Sequence, residues 1–325
     1  MLDLYLNPNL LSPTVSQTPT RNGYGDGLVE LGDEDPRVVV LTGDLSESTR
    51  AYLFQKKYPD RFVECGVAEQ NMMGVAAGLA LSGKIPFISS YATFSPGRSW
   101  DQLRVSVCFS KANVKIAGAH TGVSVGPDGA THQALEDLAI TRVLPGLTIV
   151  VPCDYFETKK ATVALGRMIG PAYFRFAREK TPIITTEKTP FVIGKTLVMR
   201  EGSDVTIAAC GPILHEALLA AEALHKRGIE AEVLNCHTLK PFDEKTLVKS
   251  VEKTGCCVTA EEHQVIGGLF GAVAETLAKY RPTPIEAIGM QDTFGESGEP
   301  KELEQKYHMT AKDIIQAVLR VQKRV

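Results

Sequence analysis

Short β-rich runs alternate with segments of helical apolar spacing along most of this chain. Val38–Thr42, Pro86–Tyr91, Val114–Gly118, Leu147–Val151 and Ala172–Phe176 read as strands. Helical patterns fit between them, starting at Met73, near Arg98, at Ala134 and at Phe156. The quartet Asp154-Tyr-Phe-Glu157 has the spacing of a capping box for the last of these, a structural duty without chemistry. From Glu179 to Asp204 the pattern breaks into Thr, Pro, Lys and Gly, as a connection between domains does. It then resumes with strands at Val205–Ala209, Ala231–Leu234, Cys257–Ala260 and Pro284–Ile288, and helices from Leu214, Asp243, Gly268 and Ala311. Such alternation predicts an α/β chain with two domains, each built on a parallel or mixed sheet with crossover helices.

Composition narrows the picture by exclusion. The 325 residues suffice for about two domains with sizeable cores. With 35 basic against 38 acidic side chains, no cationic surface advertises nucleic acid or a membrane. No apolar run approaches the ~18 residues that span a bilayer, and the first twenty residues lack the charged start and apolar core of a signal peptide. A cytoplasmic location is therefore expected. The seven cysteines are odd in number, mostly have apolar neighbours and form no Cys-x-x-Cys pair, so they read as buried thiols of a reducing compartment.

The chemistry starts at Glu69, in the run Phe62-Val-Glu-Cys-Gly-Val-Ala-Glu69-Gln-Asn-Met-Met-Gly74. A carboxylate after a glycine-containing turn and ahead of an Ala/Gly-rich helix begins that helix, where it serves either the helix dipole or a ligand. The richest segment is Gly118-Ala-His120-Thr-Gly-Val-Ser-Val-Gly-Pro-Asp128-Gly-Ala-Thr-His132-Gln. It puts two histidines and an aspartate on a glycine-rich loop after a strand, where open α/β sheets collect ligands. Imidazoles donate hydrogen bonds to hydroxyl and phosphate oxygens and can move protons near neutral pH.

These runs resemble thiamine diphosphate enzymes of the transketolase family, and the resemblance extends from about Arg21 to the C-terminus. It implies a pyrimidine-binding domain over 1–189 and a transketolase C-terminal domain over 190–325. It implies that Glu69 protonates the aminopyrimidine ring of the cofactor and so activates its thiazolium carbon. Gln70 and Asn71 follow the glutamate as in one branch of the family; another branch has histidine next. Asp44-Leu45-Ser-Glu-Ser48 matches a turn at the cofactor and substrate entrance, and is equally a loop of capping residues. Tyr91-Ala-Thr-Phe94 matches the segment that lays an aromatic ring on the pyrimidine. Phe94 and Trp100 are its two candidates, each also a fit for core packing. By the same resemblance His120 contacts the phosphate of a sugar phosphate, while His132 and Asp128 contact the hydroxyls of a ketose donor. Arg21, Ser48 and Arg178 match further phosphate-binding positions, a task for which a guanidinium fork is suited. His263, in Ala260-Glu-Glu-His263-Gln, reads as structural or interfacial.

Family members hold the cofactor's diphosphate through a magnesium or calcium ion, using Gly-Asp-Gly followed by asparagines. Gly25-Asp26-Gly27 occurs here, yet it precedes the first strand and sits in a stretch, Gly23 to Gly32, that suits an amphipathic helix. The metal ligands are thus expected from a partner. The resemblance implies the C-terminal subunit of a split transketolase, paired with a separately encoded N-terminal subunit as an α2β2 heterotetramer. Its activity would be two-carbon ketol transfer from a ketose phosphate to an aldose phosphate. A 1-deoxyxylulose-5-phosphate synthase-like enzyme, a 2-oxo acid dehydrogenase-like subunit and a non-catalytic relative are the alternatives. Residues 1–20, with their Pro and Asn, suit an extended arm able to brace the missing half.

Overall fold

The computed structural model of the chain describes residues 5–325. Its strands are β1 (Gln17–Pro19), β2 (Val38–Thr42), β3 (Phe62–Glu64), β4 (Ile85–Tyr91), β5 (Lys115–Ala119), β6 (Thr148–Val150), β7 (Ala172–Phe176) and β8 (Lys180–Pro182), then β9 (Leu197–Arg200), β10 (Val205–Ala209), β11 (Ala231–Asn235), β12 (Thr238–Lys240), β13 (Cys257–Gln264) and β14 (Ile285–Met290). The helices are α1 (Thr20–Glu34), α2 (Ser46–Thr49), α3 (Tyr52–Lys57), α4 (Glu69–Leu81), α5 (Trp100–Gln102), α6 (Asp137–Arg142) and α7 (Tyr155–Arg167), then α8 (Leu214–His225), α9 (Glu244–Thr254), α10 (Leu269–Tyr280), α11 (Pro300–Lys306) and α12 (Ala311–Val321).

Two mixed sheets organise these elements, as the alternation predicts. One runs β12-β6-β7-β5-β4-β2-β3, with only β12 antiparallel to its neighbour; the other runs β14-β13-β10-β11-β9, with only β9 antiparallel. Alternate side chains serve opposite layers. Val38, Val40 and Phe87 pack with Tyr24, Leu28 and Phe54 from α1 and α3. Val39, Leu41 and Ile88 pack with Met72, Met73 and Ala76 from α4. That second cluster continues into Ala208, Leu234 and Val273, so the two sheets share one core.

Several details depart from the sequence reading. Strand β12 leaves the second half of the chain and pairs with β6 of the first sheet, Thr238 opposite Val150. The helix near Arg98 is one α-turn at Trp100 that continues as a π-helix from Leu103 to Phe109. The capping box at Asp154 is half formed. Asp154 accepts the Glu157 N–H at 2.9 Å, but the Glu157 carboxylate turns to the Cys153 N–H at 2.7 Å and the Asn235 amide at 2.8 Å. The arm lies on its own chain: Asn7 Nδ2 donates to the Ile183 carbonyl at 2.7 Å, His215 Nε2 meets the Leu10 carbonyl at 2.8 Å, and β1 pairs with β8. Residues 1–4 lie outside the described residues. All seven cysteines are free thiols, Cys65 half-buried and the rest buried. No helix among the described residues is long and apolar enough to cross a membrane.

Gly25-Asp26-Gly27 lies inside α1, which packs along α7. A Cβ at Gly23 would overlap the Tyr155 carbonyl, and one at Gly27 would overlap Thr162. Asp26 accepts the Tyr155 hydroxyl at 2.6 Å. The motif is used for close helix approach.

Candidate active site

Strand register brings the candidate residues to one edge. Tyr91 lies opposite Ala119, and Ala119 opposite Phe176, so the carboxyl ends of β4, β5 and β7 finish level. Phe94, His120 and Arg178 follow directly from those ends. The turns after β2 and β3 lie beside them and are joined by Glu64 Oε1, which accepts the N–H groups of Asp44 and Gly66, both at 2.8 Å. Asp44 adopts the left-handed φ of 62° that such a turn requires. This carboxyl edge is where a parallel sheet offers ligands its loops.

Glu69 opens α4 and is 4 % exposed. Its two oxygens stand 3.4 and 3.5 Å from Nη1 of Arg98, whose guanidinium lies 4.3 Å from the centroid of the Phe94 ring. Gln70 Nε2 donates to the Arg98 carbonyl at 3.2 Å. Four rings form a continuous aromatic surface nearby. Tyr91 stacks on His120 at 3.8 Å and on Phe94 at 5.8 Å, and His132 meets Tyr91 and Phe94 edge-on at 5.8 and 5.4 Å.

Behind the rings lies a cationic cluster. His120 is 2 % exposed, has a φ of 57°, and carries an Nδ1 that is buried without a hydrogen-bond partner. Burial, then Arg21, Arg178 and His132, push its pKa down to about 3. Its ring is therefore neutral near pH 7, a form that can hydrogen-bond a ligand oxygen without carrying charge. Arg21 donates to the Ser48 carbonyl at 2.9 Å, while its Nε is also buried and unpartnered. Burial and the neighbouring Arg50 and Arg178 lower its pKa. Arg178 is engaged by Asp128 at 3.2 Å and by the Val125 carbonyl at 3.1 Å. Orphaned polar nitrogens among mutually repelling cations suit an anionic oxygen ligand.

Not every candidate joins this group. Trp100 packs against the core and its indole N–H donates to the Ile140 carbonyl at 2.7 Å, whereas Phe94 belongs to the aromatic surface. Leu45 and Ser48 lie on the turn after β2 and at α2, where Ser48 contributes a carbonyl to Arg21. His263 is fully buried, with Nε2 accepting the Leu138 N–H at 3.2 Å across the seam between the sheets, in keeping with its structural reading. Arg98, Arg50 and the ring of Tyr91 escaped the sequence reading; a lone arginine after a Pro-Gly turn carries no local sign of the carboxylate it will meet. A cavity of about 940 Å³ opens elsewhere, lined by the arm, α8 and α11, and its walls include none of Glu69, His120 and His132. The candidate site is an edge of the sheet, not an enclosed pocket.

The pyrimidine-binding domain model of transketolase matches residues 16–183, and the transketolase C-terminal domain model matches 194–314. The chain belongs to the transketolase family. A putative transketolase C-terminal section from Methanocaldococcus jannaschii is 43% identical over 307 residues, covering 94% of this chain and 96% of that protein. The 6-deoxy-6-sulfo-D-fructose transketolase subunit SqwH of a Clostridium species is 43% identical over 304 residues, covering 94% of each chain. A solved split-gene transketolase, described as an inactive beta4 tetramer, superposes with a TM-score of 0.87 at 44% identity, covering 95% of this chain and 99% of its own. As a transketolase family member, the chain carries the pyrimidine-binding and C-terminal domains. The family implies thiamine diphosphate. A buried acid at a helix start beside a flat aromatic surface fits the aminopyrimidine half of that cofactor. Among the described residues no group of three His, Cys, Asp or Glu side chains could hold a metal ion.

Proposed function

We propose that this chain is the C-terminal subunit of a two-subunit transketolase, transferring a two-carbon ketol unit from a ketose phosphate to an aldose phosphate. The observation that carries this reading is the buried Glu69, linked through Arg98 to the Phe94 ring and so to the Tyr91, His120 and His132 rings, with unpartnered nitrogens on His120 and Arg21. When bound, thiamine diphosphate supplies the nucleophilic carbon that accepts and later releases the two-carbon unit. Glu69 would hold the pyrimidine half of that cofactor by offering a proton from its carboxyl, and Phe94 would offer it an aromatic face. His132 and Asp128 hold donor hydroxyls. The neutral His120, with Arg21, Ser48 and Arg178, holds the phosphate, and an incoming anion relieves the repulsion among the arginines.

A separately encoded N-terminal subunit completes the site in an α2β2 assembly and holds the diphosphate through magnesium or calcium. This is supported by the coverage of split-subunit relatives almost end to end, by the inactive tetramer of one of them, and by the use of Gly25-Asp26-Gly27 in helix packing. Val67, Val75 and Leu81 expose apolar surface around the helix that Glu69 opens, which favours a protein partner there. The free thiols support a reducing, cytoplasmic setting. The chain should be assayed alone and with its partner subunit, with thiamine diphosphate and magnesium, using xylulose 5-phosphate plus ribose 5-phosphate, and separately pyruvate. Ketol transfer only by the pair is expected. Transfer by the lone chain, or turnover of pyruvate in place of the ketose, would overturn the reading.

A further inference from the structure

The loop between His120 and His132 is seated on the second α/β unit at nearly every turn. Gln133, 2 % exposed, stands at the foot of this loop. Its Nε2 lies 3.2 and 3.4 Å from the carbonyls of Val123 and Gly126 inside the loop, and 2.9 Å from the carbonyl of Glu296 in the segment before α11. Three carbonyls around one nitrogen fix the amide's orientation, because only the NH2 end can face them. The opposite end, Oε1, is buried and unpartnered. Such an arrangement persists only where the amide's donor side is worth more than the orphaned acceptor costs.

The remaining contacts repeat the pattern. Ser124 donates to Glu262 Oε2 at 2.8 Å, across from the loop to β13. A Cβ at Gly122 would overlap the Glu262 carboxylate, one at Gly129 would overlap Ser297, and one at Gly295 would overlap Gln133 Oε1. Arg175, fully within the seam, donates to the Ala134 carbonyl just past the loop and to the Glu262 carbonyl, both at 3.2 Å. Backbone pairing closes the loop's stem, Gly122 N–H to Ala134 carbonyl at 2.9 Å. The loop has turns of its own, with the Gly129 N–H on the Gly126 carbonyl at 3.1 Å and the His132 N–H on the Gly129 carbonyl at 3.0 Å, and these turns pack against residues 262 and 294–300.

We propose that Gln133 is a positioning residue, through which the second α/β unit fixes the loop that carries His120, Asp128 and His132. This rests on the donor-binding role proposed above for those three side chains. The second unit, which supplies none of the candidate site residues, thereby acts on donor recognition from behind the loop. Burial holds the Glu262 carboxyl up to about 7, so the Ser124 contact is with a group that is partly protonated at neutral pH, whereas the amide clamp of Gln133 is indifferent to pH.

The test uses the chain assembled with its partner subunit, and compares wild type with Gln133→Met, which keeps length and removes the donors. Ser124→Ala, a smaller change on the same loop, is measured beside it in case Gln133→Met folds poorly. Loss of a loop brace should raise the KM for the ketose donor about tenfold or more, with kcat at saturating donor changed less than about twofold. Hydrogen–deuterium exchange on the free chain supplies a readout independent of activity: peptides covering 120–133 should exchange faster in either variant, while those covering β2 and β4 stay as in wild type. Unchanged donor KM together with unchanged exchange in 120–133 overturns the proposal, as does acceleration spread equally over both sheets. If the wild-type assembly shows no ketol transfer, only the donor role falls, and the exchange result alone decides whether the second unit braces the loop.

Discussion

Glu69 and Arg98 divide the question of legibility at the scale of single residues. Glu69 announces itself because an acid between a glycine turn and an Ala/Gly-rich helix has only one place to sit, at the helix start, and the structure buries it there to 4 % exposure. Arg98 does not, since its contact with Glu69 depends on how the turns after β4 and β3 approach each other across β2. Replacing Glu69 by Gln keeps the shape and removes the exchangeable acid proton. Turnover by the assembled enzyme should fall by about 100-fold or more, the range of a positioned general acid, while assembly and thermal unfolding stay near wild type. Undiminished turnover in a fully assembled Glu69→Gln enzyme would remove the role given to this carboxyl. His120 shows what residue type alone leaves open: an imidazole can donate hydrogen bonds or move protons near neutral pH, and only its burial beside Arg21 and Arg178 pushes the pKa to about 3.

At the scale of elements, the pairing of α1 with α7 explains a motif that reads two ways. Gly-Asp-Gly can hold a metal or can let two helices touch, and the sequence leaned to the second reading from its place ahead of the first strand. The geometry agrees, because side chains at positions 23 and 27 would strike α7. Gly27→Val should therefore destabilise the chain by about 1–3 kcal/mol through overpacking, seen in urea unfolding. Asp26→Asn should leave the magnesium dependence of the assembled enzyme unchanged; a shifted metal requirement would return the motif to metal binding. The elements missed from sequence include β1, β3, β8, β9, β12, α2, α3 and α11, most of them only three or four residues long. Strands this short carry too few alternating positions to show a period. Thr238–Lys240 is the clearest case: it is a strand only because Thr148–Val150 lies open beside it.

The whole molecule adds a pH dependence that no local segment contains. Glu304 on α11 is pushed up to about 8, by burial first and then by Glu262 and Glu216, which reach it from β13 and α8. A carboxyl with a folded pKa above its ordinary 4.5 stabilises the fold fully below that value, and the contribution is lost as pH rises through about 8. Glu304→Gln should accordingly become more stable relative to wild type as pH goes from 5 to 8, by up to about 1 kcal/mol per pH unit, and level off above. Urea unfolding at several pH values checks this, and parallel curves for the two proteins would contradict it.

By itself the sequence determined most of the longer strands and helices, that two α/β units follow one another, that Glu69 begins a helix, and that His120, Asp128 and His132 follow a strand on one glycine-rich segment. Those properties follow from local periodicity and from the polar residues a loop can carry. Only the tertiary structure decided which loops become neighbours, since strand order and register are set by packing between distant segments. It alone put Arg98 against Glu69, stacked Tyr91 on His120, held the imidazole neutral among arginines, and set the second unit behind the loop that Gln133 clamps. Contacts of that kind join residues far apart along the chain, and no pattern within either segment records its partner.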